Sequence, residues 1–308
     1  MAHRMTPPSR LLASVGLAAA LAFGATACGD TSSDGPNGAA DITIVTGFYP
    51  AQFLADSLLG DSGTNVDVVN LTPPGAEPHH LELTPDDVIR LAEADLVITL
   101  DGFQHAVDEA IEEARPAAVI DLAPAADLTT KAGSDGLDYH FWLDTTRYGR
   151  VASTLAERLT ELIPAEADAI AANLATLLTT LDAVDTAYRD GLAACEQELI
   201  VTGHTAFGYL AQRYGLVERG IAGLEPEDEP SANALADLAT LVNDNGVTTI
   251  FFETLTSPDI AKTLAAETGA NTNVLDPIEG VSNDSRGGDY VAIMNSNLEA
   301  LRAGLRCG

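Results

Sequence analysis

The 308 residues carry 46 aspartates and glutamates against 15 lysines and arginines, a formal charge of −31, and 46% of them are hydrophobic. A surface this acidic repels nucleic acid and anionic lipid and gathers cations, which excludes a nucleic-acid partner. The length and apolar content suffice for one large domain or two modest ones.

Residues 1–27 read as an export signal. Arg4 and Arg10 precede the apolar run "LLASVGLAAALAFGA", and small residues follow. Cys28 comes directly after them, the place where bacterial lipoprotein processing attaches lipid, although Ala25 stands where such sites usually have Leu. The chain is therefore expected to be exported, and held at the outer face of the cytoplasmic membrane if Cys28 is lipidated, or periplasmic or secreted if it is not. Residues 28–40, rich in Gly, Ser and Asp, read as a flexible tether.

From residue 41 short apolar runs alternate with helical stretches. "ITIVTG" (42–47), "VDVVNL" (66–71), "DLVITL" (95–100) and "AAVIDL" (117–122) read as buried strands. Before "DDVIRLAEA", Thr84 suits a helix cap and Pro85 the first helical position. This alternation predicts an N-terminal α/β lobe over 41–145. Residues 146–193 are helical throughout, interrupted only at Pro164, and are expected to form a linker dominated by one long helix. The alternation resumes over 194–308 with "ELIVTG" (198–203), "GLVERGIAG" (215–223), "VTTIFFE" (247–253) and "TNVLD" (272–276), followed by a closing amphipathic helix. The fold class is α/β: two lobes with mostly parallel sheets flanked by helices, joined by one long connecting helix, with a ligand cleft between them. No transmembrane span is expected after the signal. Cys195 and Cys307, a lone pair in an exported chain, are expected to form a disulfide.

Chemistry-bearing residues sit at four places beyond the carboxyl ends of these strands, where open α/β sheets bind ligands. The histidine doublet in "PGAEPHHLELTPDD" (74–87) follows the second strand, His140 lies in "DYHFWLD", His204 follows "LIVTG", and Asp276 ends "TNVLD". Three imidazoles and one carboxylate suit zinc, whereas a magnesium or calcium site would be mostly oxygen. Successive gaps of 61, 64 and 72 residues, counted from His79, make this no zinc finger, and no HExxH is present. Neighbouring residues in extended chain point to opposite sides, so only one of His79 and His80 should face the cleft. His105, at a helix start, is read as structural, and Glu253 as the spare carboxylate.

These motifs resemble the metal-specific solute-binding proteins of bacterial ABC importers for zinc and manganese. "PGAEPHHLELTPDD" is similar to the family's Pro-His segment, "HFWLD" to its second motif, "GHTAFGYLAQRYGL" to its third and "LDPIEG" to its fourth, and the likeness runs from about residue 41 to the C-terminus. The resemblance implies His79, His140, His204 and Asp276 as the metal ligands, with His80 a variable neighbour. It also implies permease and ATPase partners in the membrane; a metal-loading chaperone is a further candidate partner, and the receptor is expected to be a monomer. Manganese members typically have glutamate where this chain has His204, so the resemblance points to Zn2+. Many zinc members carry a long His-rich loop near the site; here 122–139 has no histidine. The expected function is an extracytoplasmic zinc receptor for an ABC importer, not an enzyme. The alternatives are a manganese or iron receptor of the same fold, a surface adhesin or scaffold, or a secreted zinc hydrolase using Glu253 or Glu77 as base.

Overall fold

The computed structural model describes residues 42–61, 63–130 and 136–308. The expected signal, Cys28 and the whole tether lie outside the described residues. The first sheet is built from β1 (Ile42–Thr46), β2 (Val66–Asn70), β3 (Leu96–Thr99) and β4 (Val119–Asp121), ordered β2-β1-β3-β4 and parallel throughout. The second contains β5 (Leu199–Thr202), β6 (Val217–Gly220), β7 (Thr249–Phe252) and β8 (Asn271–Val274) in the equivalent order β6-β5-β7-β8. Strand order reverses at β1/β3 in one sheet and at β5/β7 in the other, which opens a crevice beyond the strand ends.

Helices α1 (Tyr49–Leu59), α2 (Pro85–Glu93), α3 (His105–Ala114) and the short α4 (Ala123–Ala126) flank the first sheet. Thr84 and Asp87 form a reciprocal capping box at the start of α2, with Pro85 at its first position, as the sequence pattern requires. α5 (Thr145–Leu162) stops at Ile163 before Pro164, and a 3-10 turn (Pro164–Glu166) leads into α6 (Ala167–Leu192). The 26 residues of α6 link the lobes: it packs on α1 and α5, and also on α7 (Gly208–Tyr214) and α10 (Tyr290–Leu305). By length and composition alone α6 could cross a bilayer. In the fold it buries Leu177, Leu181, Val184 and Tyr188 against protein, and it pairs Asp185 with Arg213 at 2.6 Å. α8 (Ala232–Asp244) and α9 (Asp259–Thr268) complete the second lobe.

One apolar cluster crosses between the lobes, from Ile44 and Leu54 through Trp142 and Tyr148 to Ile200, Phe251 and Met294. Polar clasps accompany it. Trp142 Nε1 donates to the Pro277 carbonyl at 2.7 Å, Tyr290 Oη to the Trp142 carbonyl at 2.6 Å, and Tyr188 Oη to the Met294 carbonyl at 2.7 Å.

Cys195 and Cys307 are bridged, which fastens the end of α10 to the end of α6 across 112 residues of chain. A loop of this size restricts the unfolded ensemble by about 4–5 kcal/mol in the chain-entropy account. The Cys195→Ala/Cys307→Ala variant is expected to lose most of that stability in urea unfolding while its far-UV spectrum stays native.

Candidate metal centre

His79 sits on the loop after β2, and buried hydrogen bonds fix that loop. Thr72 Oγ1 donates to the Gly47 carbonyl at 2.5 Å, and Gln104 Nε2 reaches the carbonyls of Gly47 and Pro78, both at 3.0 Å. Glu77 accepts from the backbone amides of His79, at 2.8 Å, and His80, at 3.2 Å. The result is the divergence expected of a doublet: the His79 side chain is 3% exposed and that of His80 52%. Gln104 escaped the sequence reading, which singled out its neighbour His105; that histidine is exposed at the start of α3.

His140 begins the 3-10 turn Phe141–Leu143, and Asp138 holds it twice, accepting from its amide at 3.0 Å and from Nδ1 at 2.9 Å. His204 lies just past β5, held likewise by Glu253 from the end of β7, which accepts from its amide and from Nδ1, both at 2.7 Å. Gly203 makes room for this: a Cβ there would stand 2.5 Å from Glu253 Oε1. Glu253, the spare carboxylate of the sequence reading, thus orients a histidine from behind.

The carboxylate that meets the three imidazoles belongs to Glu279, not Asp276. Glu279 Oε1 lies 2.9 Å from His140 Nε2, 3.2 Å from His204 Nε2 and 3.3 Å from His79 Nε2, and the His140 and His204 Nε2 atoms are 3.2 Å apart. Asp276 is buried three residues upstream, with both oxygens engaged. Oδ1 accepts from the Ile278 amide at 2.8 Å and Oδ2 from Thr254 Oγ1 at 3.0 Å. The first bond is an Asx turn. Beyond it Ile278 takes φ of +60°, and this turn, clasped by Trp142, aims Glu279 into the cleft. "LDPIEG" therefore contains the converging carboxylate, and the Asp-Pro pair beside it was the signal that Asp276 shapes the turn.

Each imidazole presents Nε2 inward and Nδ1 to a carboxylate: His140 to Asp138, His204 to Glu253, and His79 to Glu225 at 3.3 Å. Such backing partners fix the tautomer and raise ligand basicity. Two donors about 2.0–2.1 Å from a tetrahedral zinc lie roughly 3.3 Å apart, so the spacings found match a zinc coordination shell. Burial pulls the His79 imidazole down, but Glu279 and Glu225 outweigh it and raise its pKa to about 9. His204 is raised well above the ordinary range by Glu253 and Glu279 against the same desolvation. Glu279 is held far below the carboxylate range, its burial overcome by His204 and His79. Raised imidazoles at His79 and His204 facing a lowered Glu279 favour imidazolium–carboxylate pairing, which a dication would displace.

A cleft between two doubly wound lobes, lined by three inward imidazoles and one carboxylate, defines the class of metal-binding solute receptors. A family model described as "Zinc-uptake complex component A periplasmic" matches residues 44–304. The high-affinity zinc uptake system protein ZnuA of Bacillus subtilis is 32% identical over 302 residues, covering 91% of this chain and 93% of that protein. The zinc-binding lipoprotein AdcA of Streptococcus pneumoniae is 31% identical over 279 residues; the match takes in 85% of this chain and 55% of AdcA, so the chain spans about half that relative's length. Among solved structures, the Zn(II)-bound ZnuA-like domain of Streptococcus pneumoniae AdcA superposes with a TM-score of 0.73 at 30% identity, over 86% of this chain and 98% of that one. The chain belongs to the zinc-uptake component A family, a family of extracytoplasmic solute receptors of ABC importers rather than of enzymes.

Proposed function

We propose that this chain captures Zn2+ outside the cytoplasmic membrane and delivers it to the permease of an ABC importer. The ion is held by Nε2 of His79, His140 and His204 and a carboxylate oxygen of Glu279. In this reading the N-terminal lobe (41–145) supplies His79 and His140, the C-terminal lobe (194–308) supplies His204 and Glu279, and 146–193 joins them. The observation that carries the proposal is the convergence of those four atoms, with neighbouring spacings of 2.9–3.3 Å. The Zn(II)-bound relative of the same fold supports the choice of ion. Three imidazoles favour zinc over manganese, which prefers oxygen. Four protein donors close the shell, as in sites that hold an ion rather than activate water on it. Glu253 and Glu77, the carboxylates a hydrolase would use as base, are occupied in orienting His204 and the His79–His80 backbone. Cys28 is the anchor in this proposal, in keeping with the lipoprotein relative, and the receptor works as a monomer.

Native mass spectrometry of the metal-stripped protein, offered zinc and manganese at equal concentration, is expected to show one tightly held zinc per chain. Preferential uptake of manganese would overturn the choice of ion. Replacing a backing carboxylate should cost less than replacing a ligand. Glu253→Gln is expected to weaken zinc binding about 10–100-fold, measured by competition with a chelating dye.

A further inference from the structure

We propose that Trp142 is a positioning residue for the bound ion: its indole N–H, donated across the cleft to Pro277, holds Glu279 against His140 and sets how long the ion stays. This rests on the buried cluster being the zinc site. Trp142 stands two residues after His140, in the segment beyond β4, and Pro277 two residues before Glu279, in the loop after β8. Trp142 Nε1 reaches the Pro277 carbonyl at 2.7 Å, and Glu279 Oε1 reaches His140 Nε2 at 2.9 Å. The same two segments are therefore joined twice, once within the cluster and once beside it.

The peptide unit between Pro277 and Ile278 is what the indole controls. Its carbonyl accepts from Trp142, and its N–H donates to Asp276 Oδ1 at 2.8 Å, so one planar group is pinned at both ends. That orientation places Ile278 at φ of +60°, a conformation costly for a β-branched side chain. Rotating the plane relieves Ile278 and swings Glu279, the next residue, out of the cluster. Asp276 resists this from within the same loop, whereas Trp142 resists it from the opposite wall of the cleft.

The donor is held firmly enough for this task. Trp142 is fully buried, its ring 5.4 Å from that of His140, 5.6 Å from Phe48 and 5.9 Å from Phe103, centroid to centroid. Phe103 in turn meets His79 in a T-shaped contact at 4.7 Å. Because donor and acceptor sit on opposite walls, the bond forms only with the cleft closed. Its loss leaves a buried carbonyl unpaired and frees the turn, so it acts on release of the ion rather than on capture.

The chain holds one tryptophan, so a single atom can be exchanged. Growth of a tryptophan auxotroph on the benzothiophene analogue of tryptophan replaces the indole N–H with sulfur and keeps the bicyclic ring. From the zinc-loaded sulfur protein, the ion should pass to excess chelator about tenfold faster than from wild type, with its association rate unchanged. Cobalt(II), used as a spectroscopic probe, should give the strong visible bands of a tetrahedral shell in wild type. The sulfur protein should give weaker bands, as water enters beside a displaced Glu279. Trp142→Phe should reproduce both changes. Tyr290→Phe removes the hydroxyl bonded to the Trp142 carbonyl but leaves the indole bond in place, and it should release zinc at close to the wild-type rate. A sulfur protein with unchanged dissociation and cobalt spectrum, and only a lowered melting temperature, would make Trp142 a structural residue and overturn the proposal. Equal acceleration by Tyr290→Phe would overturn it too. Wild type that takes up no zinc overturns the metal site itself.

Discussion

His140→Ala is expected to abolish tight zinc binding, with affinity falling more than about a thousandfold, equivalent to about 4 kcal/mol. The substitution removes an inward nitrogen that faces Glu279 at 2.9 Å and His204 at 3.2 Å. It also strands Asp138, whose oxygen is bonded to the imidazole at 2.9 Å. Changing an outer partner costs about 10–100-fold, and losing a ligand costs more. Asp276→Asn supplies the contrast. An asparagine oxygen still accepts from the Ile278 amide and keeps the turn that aims Glu279, so zinc affinity should stay within about tenfold of wild type. Were Asp276 a ligand, the two variants would fail alike. Dye competition on both, with thermal melts to show that each is folded, separates the cases.

The second large effect is on pH. His79 faces Glu77, Glu225 and Glu279 together with His140 and His204, and its imidazole titrates at about 9. His204, between Glu253 and Glu279, is raised as well. Both are protonated at neutral pH in the ion-free protein, and both must lose a proton to bind zinc. Zinc affinity is therefore expected to climb steeply from pH 6.5 to 8, by up to about a hundredfold per unit for two coupled protons. Ordinary histidines, with pKa near 6.5, would give a curve that flattens above neutrality. Calorimetry in buffers of different ionisation enthalpy should show close to two protons released per zinc at pH 7. Stability of the ion-free form follows the same groups with defined sign. Raised imidazoles contribute stability that is whole below their unfolded pKa near 6.5 and fades as pH rises through about 9 for His79. The melting temperature of the stripped protein should therefore drop across that window, while the zinc-loaded form loses no such contribution.

The elements that carry the fold were plain in the sequence because their signals are local. Runs such as "ITIVTG" and "ELIVTG" are apolar on both faces, as strands buried under helices must be, and Thr84-Pro85 marks a helix start by its own chemistry. The unbroken helical pattern after Pro164 became α6. His79 and His204 were legible because each stands in the loop after a strand, at the end of a sheet where ligands gather, and His140 because it lies in the "DYHFWLD" segment further beyond β4. The fourth carboxylate was not. Asp276 and Glu279 stand three residues apart; the Asp-Pro pair is compatible with an Asx turn in sequence, but the residue at positive φ that aims Glu279 inward is revealed only by the fold. Gln104, Asp138 and Glu225 were invisible for a related reason. Their work lies in contacts across the fold or in side-chain direction, and nothing in their immediate sequence distinguishes them from other polar residues near loops.

The most direct test is a crystal structure of the zinc-loaded protein with anomalous data collected at the zinc edge. One strong peak should lie about 2.0–2.2 Å from Nε2 of His79, His140 and His204 and from a Glu279 oxygen. Asp276 should remain bonded to Ile278 and Thr254, outside the shell. A peak ligated by Asp276, or one that leaves out any of the three imidazoles, would contradict the site as built here.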